Sequence, residues 1–268
     1  AVIHQFDPDL IITDFELFTP RAARKLNRFC VSLDHQHILT QGVYDLSHQQ
    51  YLSGLMAKSV IRWFYSVPKY YLIVSFFPLP LRDKKKAEVF PAIIKRTATE
   101  QSPTLGDHIL VYQTSPTFQR IFPLLETLGH PCMIYGFGSR PPQGNLIFKA
   151  PSSKDFINDL ASCQYVLANG GHNVISEALY FGKPVFSFPI ANHYEQFANA
   201  HFLAKLGYGS YTTSLNPSPW IFESFQSRLD AFRARIKKSF FHGNERVIRR
   251  LKELLALGIK GSRSSFSL

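Results

Sequence analysis

The chain has 268 residues, of which 45% are hydrophobic, and a formal net charge of +11. This apolar content excludes an intrinsically disordered chain, and the absence of any run of about 18 uncharged apolar residues argues against a membrane-spanning helix. The number of cysteines is odd, and none belongs to a CxxC pair; the three are Cys30, Cys132 and Cys163. We therefore exclude a disulfide framework and a zinc knuckle, and expect inert core thiols in a reducing, cytoplasmic compartment.

The N-terminal part of the chain predicts a strand–helix–strand unit with parallel strands. A short apolar run, residues 10–13, is followed by a helix that begins at Thr19-Pro20, and residues 29–33 form a second buried strand. Residues 1–4 have the character of a helix end before the first strand. We therefore expect the start of this domain to be absent from the chain.

Polar side chains follow both of these strands, where ligands gather in parallel sheets. They are Asp14 and Glu16 after the first strand, and His35 and His37 after the second. All four are candidates for catalysis. The alternatives are that the two acids cap the helix near Thr19 and that the two histidines only hold their loop by hydrogen bonds.

The middle of the chain predicts a domain boundary. A helix over residues 53–65 and a strand over residues 70–77 come first, and a run rich in proline, lysine and polar residues follows. This change of composition predicts a linker near residues 90–105. The predicted domains are thus 1–95, on the acceptor side, and 96–268, which includes basic C-terminal helices.

The second domain predicts a doubly wound α/β fold, because strands and helices alternate from Ile109 onward. The predicted strands are residues 109–112, 132–135, 146–148, 165–168 and 185–188. The predicted helices are residues 117–128, 154–162, 174–181 and 195–206.

The most informative stretch begins where the strand 165–168 ends. Gly170 and Gly171 permit a tight turn and the close approach of a ligand, and the helix behind them offers unpaired N–H groups and a positive dipole end. Such a turn suits a diphosphate. Glu177 lies one helical turn beyond Asn173 and can reach the same ligand.

The whole pattern resembles the donor box of GT-B glycosyltransferases, including UDP-glycosyltransferases and the enzyme that adds N-acetylglucosamine to peptidoglycan precursors. The matching residues are Asn169-Gly170-Gly171-His172-Asn173, Glu177-Ala178-Leu179, Gly182-Lys183-Pro184, Glu195-Gln196 and Asn199-Ala200. The resemblance implies two Rossmann-like doubly wound domains, of which the N-terminal one is incomplete. It also implies a hexosyltransferase that moves a sugar from a nucleotide sugar, by default a UDP-sugar, to a hydroxyl.

The resemblance also implies a role for each matching residue. Glu177 binds the ribose, Glu195 and Gln196 bind the transferred sugar, and the loop 149–152 faces the base. The segment 113–115 approaches the phosphates or the acceptor. The full set of implied donor-binding residues is Asn169, Gly170, Gly171, His172, Asn173, Glu177, Glu195, Gln196 and Ser115.

Two positions depart from the plant-type box: Asn169 stands in place of a histidine, and Lys149 in place of a tryptophan that stacks on uracil. The general base of the superfamily often lies in a Gly-His loop that we expect to be absent. His35, His37, Asp14 and Glu16 are then the remaining candidates. We expect no metal and no cofactor, because no DxD triplet and no zinc-like histidine spacing occur.

Alternatives in other classes remain open. A nucleotide-sugar 2-epimerase or a non-catalytic nucleotide-sugar-binding module would carry the same glycine-rich turn. Nucleic-acid binding is suggested by charge alone and has no motif to support it. Three features instead predict contact with an anionic membrane and a lipid or lipid-linked acceptor: the apolar region 63–80, the run Lys84–Lys86 and the basic tail.

Overall fold

A computed structural model describes residues 2–45, 50–113, 119–214, 216–237 and 239–264. The chain forms two compact units. The first unit comprises Ala1–Ile93 and His242–Leu268, and the second comprises Ile94–Phe241.

The first unit is built on a parallel four-stranded sheet with the strand order β1-β2-β3-β4. Its strands are Ile11–Thr13 (β1), Cys30–Asp34 (β2), Tyr70–Val74 (β3) and Ala87–Phe90 (β4). Its helices are Val2–Phe6 (α1), Thr19–Lys25 (α2), Ile38–Gln41 (α3), Tyr51–Val60 (α4) and Asn244–Ser264 (α12). The helix α4 continues into a π-helical turn, Ile61–Tyr65. The strand–helix–strand unit is confirmed, whereas β4 lies in a segment where we predicted no strand.

The second unit is a doubly wound domain with a parallel six-stranded sheet in the order β10-β9-β8-β5-β6-β7. Its strands are Ile109–Tyr112 (β5), Cys132–Tyr135 (β6), Leu146–Phe148 (β7), Val166–Ala168 (β8), Val185–Ser187 (β9) and Gly209–Tyr211 (β10). Its helices are Arg96–Thr99 (α5), Phe122–Glu126 (α6), Ser153–Ser162 (α7), His172–Tyr180 (α8), Tyr194–Lys205 (α9), Pro219–Gln226 (α10) and Leu229–Lys237 (α11), with a short 3₁₀ turn at Gln119–Ile121.

The C-terminal helix α12 belongs to the first unit, whereas the sequence assigned it to the predicted domain 96–268. Val247 and Leu254 are buried in the core of the four-stranded sheet, and Leu251 packs against that core. Arg250 also binds Glu88 of β4, with 2.6 Å between Nε and Oε1. The helical spacing of Val247, Leu251 and Leu254 predicts that this side of α12 packs against a core, but it does not predict which of the two sheets provides that core.

The three cysteines are free and buried, as expected. Burial raises the pKa of Cys132 and of Cys163 to about 12, so both thiols are protonated at neutral pH. No helix in the described ranges has the length and apolar character needed to cross a membrane.

Candidate functional site

The strand order of the second unit defines the position of the candidate site. β5 lies beside β8, although β6 and β7 come between them in sequence, so the direction of winding reverses between these two strands. Tyr112 and Ala168 are register partners at their carboxyl ends. Doubly wound sheets bind ligands at this point, and the chain here leads into Gln113 and Asn169.

The turn after β8 is held by α9. A side chain at Gly170 would clash with the backbone carbonyl of Gln196, so the close approach of α9 requires glycine there. The Asn199 amide Nδ2 donates to the Gly170 carbonyl at 3.0 Å, and the Asn169 amide Nδ2 donates to the Phe188 carbonyl at 3.0 Å. Gly170 and Asn169 therefore have a structural role, which the sequence pattern did not separate from a role in binding.

Gly171 differs from its neighbour. Among the described residues, a Cβ atom at Gly171 would meet only the Val174 side chain, at an ordinary 3.8 Å, so no contact in this part of the chain requires glycine there. Gly171 precedes α8 and gives that helix no side-chain cap. The first turn of α8 therefore presents backbone N–H groups and a positive dipole end, while His172 is buried and Asn173 is exposed.

Glu177 is a buried carboxylate on α8, with 4% of its surface exposed. Its Oε1 lies 3.2 Å from Nζ of Lys95. Burial raises the pKa of Glu177, and the charge and hydrogen bond of Lys95 only partly offset this. Sequence reasoning missed Lys95 because it falls in the predicted linker; in the structure it belongs to the second unit.

A cavity of about 290 Å³ opens beside this pair at the carboxyl ends of β5 and β6. Its wall carries the aromatic side chains of Tyr112, Tyr135 and Phe156, and Lys95 lies at its border. The remaining lining residues are Gln113, Gly136, Pro151 and Ser152. Tyr112 and Tyr135 are the last residues of β5 and β6. Their position at strand ends is the signal from which sequence reasoning could have identified them.

Gln113 is the most unusual group in the cavity wall. Only 2% of its surface is exposed, yet its Nε2 has no hydrogen-bond partner among the described residues. Gly136 has a φ of 102°, and a side chain there would clash with the Gln113 carbonyl. Buried amides are nearly always paired in proteins, so this nitrogen is a candidate for contact with a polar ligand.

The loop predicted to face the base contributes Pro151 and Ser152 to the same cavity. Lys149, at the position of the family's tryptophan, pairs with Asp159, with Nζ 3.4 Å from Oδ2. The Tyr135 hydroxyl donates to the same carboxylate at 2.6 Å. Lys149 is thus bound to a neighbouring acid, and the aromatic wall comes from other residues.

The two residues expected to hold the sugar lie in the first turn of α9. The Gln196 side-chain oxygen accepts a hydrogen bond from the Ile190 N–H at 3.0 Å, and His193 accepts one from the Gln196 N–H at 3.4 Å. Glu195 is half-buried beside them. Ser115, the remaining predicted donor residue, lies outside the described residues.

The first unit brings His37 together with Asp34, a partner that sequence reasoning did not select. The Asp34 carboxylate accepts hydrogen bonds from Nδ1 of His37 at 2.7 Å, from the His37 backbone N–H at 2.9 Å, and from the Ser32 hydroxyl. Burial alone would raise the pKa of Asp34, but these hydrogen bonds outweigh burial and hold it below its ordinary value. Nε2 of His37 is buried and has no partner within the described part of the chain.

The other three catalytic candidates are placed differently. Nδ1 of His35 donates to the Val74 carbonyl at 2.9 Å. Glu16 accepts from the N–H groups of Phe18 and Thr19, each at 2.8 Å, and so caps α2. Asp14 lies at the end of β1 with much of its surface exposed, but partial desolvation of its carboxyl and the charge of Asp34 raise its pKa. Catalysis by any of the four stays a prediction.

Across the described ranges, no group of three or more histidine, cysteine, aspartate or glutamate side chains has the geometry to hold a metal ion.

Comparison with solved structures confirms the GT-B fold. UGT2 of Phytolacca americana, solved with UDP-2fluoro-glucose and pterostilbene, has 14% sequence identity and a TM-score of 0.65, over 96% of this chain and 79% of that one. SsfS6 of Streptomyces sp. SF2575, solved with thymidine diphosphate, has 14% identity and a TM-score of 0.59, over 94% and 71% of the two chains.

Sequence comparison finds relatives in the genus Methanosarcina. An uncharacterized glycosyltransferase of Methanosarcina mazei is 24% identical over 263 residues, which cover 88% of this chain and 69% of the relative. The chain spans between 13% and 69% of the length of four such relatives. The profile of one family, glycosyl transferase family 1, matches residues 1–230, most of the chain. The chain therefore belongs to glycosyl transferase family 1.

Proposed function

We propose that this protein transfers a sugar from a nucleoside-diphosphate sugar, by default a UDP-sugar, to a hydroxyl acceptor without the help of a metal ion or cofactor. The observation that carries the proposal is the buried carboxylate of Glu177, whose partner Lys95 lines an aromatic-walled cavity at the switch point of the second unit. A buried acid with a single lysine partner is costly for a fold, and such groups are frequent in binding sites.

Three parts of the site match three parts of the donor. The uncapped first turn of α8 after Gly171 supplies backbone N–H groups to the diphosphate. Glu177 accepts hydrogen bonds from the ribose hydroxyls, which then replace or share its contact with Lys95. The base enters the cavity between aromatic rings, where the unpaired Gln113 Nε2 donates to a base carbonyl.

The transferred sugar lies toward the first turn of α9. The Gln196 side-chain oxygen is already bonded to backbone, so the carboxylate of Glu195 is the better acceptor for sugar hydroxyls. Within this proposal, Glu195 therefore contributes more to sugar selection than Gln196 does.

The transfer step needs charge stabilisation and one base. The acceptor oxygen forms a bond to the anomeric carbon, the bond from that carbon to the diphosphate oxygen breaks, and the acceptor proton passes to a base. The N–H groups and dipole of α8 stabilise the charge that develops on the leaving diphosphate, which is the task a metal performs elsewhere. Among the candidates for the base, His37 has a carboxylate partner and an unengaged Nε2.

Calorimetric titration tests the donor site. The full chain is titrated with UDP, GDP, dTDP and their sugars, beside Glu177→Ala and the control Glu223→Ala, which removes an exposed acid from α10 of the same unit. Binding of one nucleotide that is lost only in Glu177→Ala supports the proposal. A folded chain that binds none of these nucleotides contradicts it.

The acceptor is a separate proposal. We propose a lipid or lipid-linked glycan on the cytoplasmic face of an anionic membrane, since the chain is basic, with a net charge of +11. Incubation with radiolabelled UDP-sugars and a total lipid extract should give label that moves into the organic phase. Label that remains entirely in water, with a chain that binds the donor, would contradict a lipid acceptor.

A further inference from the structure

The helix α4 and the π-helical turn that follows it expose an unusual amount of apolar surface. Over Tyr51–Val60 and Ile61–Tyr65 only Gly54 and Ile61 are buried, and Trp63 is 80% exposed. We call this surface the α4 face. Its large exposed apolar side chains are Tyr51, Leu52, Leu55, Met56, Val60, Trp63 and Phe64. A cluster of this kind on a soluble domain marks an interaction surface.

Most of the charges that act on Lys58 of the α4 face are positive. The sequence contains no acidic residue between Asp45 and Asp83, but this stretch includes Lys58, Arg62, Lys69 and Arg82. Burial lowers the pKa of Lys58, and the charges of Arg82 and Arg62 lower it further, against a smaller opposing effect of Asp45. The three cations are therefore close enough to repel one another, which favours an anionic partner.

We propose that the α4 face is a docking surface for an anionic phospholipid membrane, with its aromatic and aliphatic side chains at the level of the headgroups. Tryptophan, phenylalanine and leucine beside lysine and arginine are the composition of helices that lie in a membrane interface. An anionic bilayer offers negative charge and apolar chains together, which is the combination that the cations and apolar side chains of the α4 face require.

This location overlaps only in part with the one that the sequence predicted. In the apolar region 63–80, the strand Tyr70–Val74 is largely buried, and Phe76 and Phe77 are in the core. Trp63 and Phe64 are the exposed large apolar residues that the two regions share, and the others lie earlier, on the helix α4, where the sequence predicted only a helix over 53–65. The proposal goes beyond the donor site and is tested without any nucleotide.

The chain contains two tryptophans, Trp63 and Trp220, which make a matched pair of probes. Trp220 lies on α10 in the second unit and is 63% exposed. In Trp220→Phe, Trp63 is the single source of tryptophan fluorescence, and in Trp63→Phe it is Trp220. Each full-length variant is mixed with phosphatidylcholine vesicles, with or without about 30% phosphatidylserine.

We expect the emission of Trp63 to shift to shorter wavelength with the anionic vesicles only, and that of Trp220 to stay unchanged. Arg62→Glu should weaken the vesicle affinity at least fivefold, because one cation near an anionic surface contributes about that factor and its reversal more. The control Arg120→Glu, which reverses an exposed charge in the second unit, should leave it unchanged.

Three results would overturn the proposal. The first is no shift of Trp63 with either vesicle. The second is an equal shift of both tryptophans, which would indicate unfolding on the vesicle. The third is a blue-shifted Trp63 without vesicles in a chain that sediments as a dimer, because a second copy would then cover the α4 face.

Discussion

Replacement of Glu177 by alanine should weaken nucleotide binding more than any other single change in the second unit. Hydrogen bonds to a charged group contribute about 1.5–3 kcal/mol each, so loss of one corresponds to a dissociation constant raised about 10- to 150-fold. Glu177 is 4% exposed, and its partner Lys95 lines the cavity, so few other acceptors can replace the carboxylate there. Calorimetry on the purified chain measures this change directly.

The same carboxylate should make the fold less stable at neutral pH. Its pKa is raised in the folded chain, chiefly by burial, so the folded state holds this proton to higher pH than the unfolded state. The stability that the protonated group contributes is fully present below the pKa of the unfolded chain, about 4.5. It is lost as the pH rises through the higher pKa of the folded chain. Glu177→Gln should therefore raise Tm at neutral pH, and the gain should vanish below about pH 4.5.

Two measurements together can refute this reasoning. If Glu177→Ala binds UDP within about threefold of the unaltered chain, the carboxylate does not contact the nucleotide. If Glu177→Gln lowers Tm at neutral pH, the pair with Lys95 stabilises the fold by more than burial of the acid costs. The first result would refute the role of Glu177 in binding, and the second would refute the predicted effect of its burial on stability.

Other substitutions test neighbouring parts of the argument. Lys95→Met should raise the pKa of Glu177 further, because the opposing charge is lost. When the solution is acidified, the variant should therefore lose UDP affinity at a higher pH than the unaltered chain does. Gly170→Ala should destabilise the chain by about 1–3 kcal/mol in urea denaturation because its Cβ clashes with the α9 backbone. Gly171→Ala should change stability by less than about 0.5 kcal/mol and yet weaken UDP binding. Leu254→Ala should cost about 2–5 kcal/mol in the same assay, with UDP affinity of the folded chain unchanged.

Sequence patterns predicted the second unit well because its strands are buried on both faces and read as apolar runs. The segments 109–112, 132–135 and 146–148 were predicted with the bounds that the structure shows. Gly182, predicted to end α8, has a φ of 74°, which is the conformation that favours glycine after a helix. By contrast β4 was missed because it is short and lies between a lysine run and a proline.

The donor site was predicted only in part, because residue type and spacing do not tell which hydrogen bonds a side chain already makes. Lys95 lies 82 positions before Glu177 in the chain, and no local pattern connects the two. The pairing of His37 with Asp34 is three residues apart and was within reach of sequence reasoning. It was overlooked because both histidines of the loop appeared equivalent until their partners were known.

The hydrogen bonds divide the polar residues of the candidate donor site into two groups. Asn169 and Asn199 donate to backbone carbonyls, and the Gln196 oxygen accepts from backbone, so these three shape the turn. Gln113 keeps a buried amide nitrogen without a partner in the described structure, and Glu177 keeps a carboxylate whose burial is only partly offset. Folding alone gives no reason to retain groups of the second kind, since apolar replacements would pack without that penalty. A ligand with a hydrogen-bond acceptor for Gln113 and hydroxyl donors for Glu177 would satisfy both, and a nucleoside, with its base carbonyl and ribose diol, presents this combination.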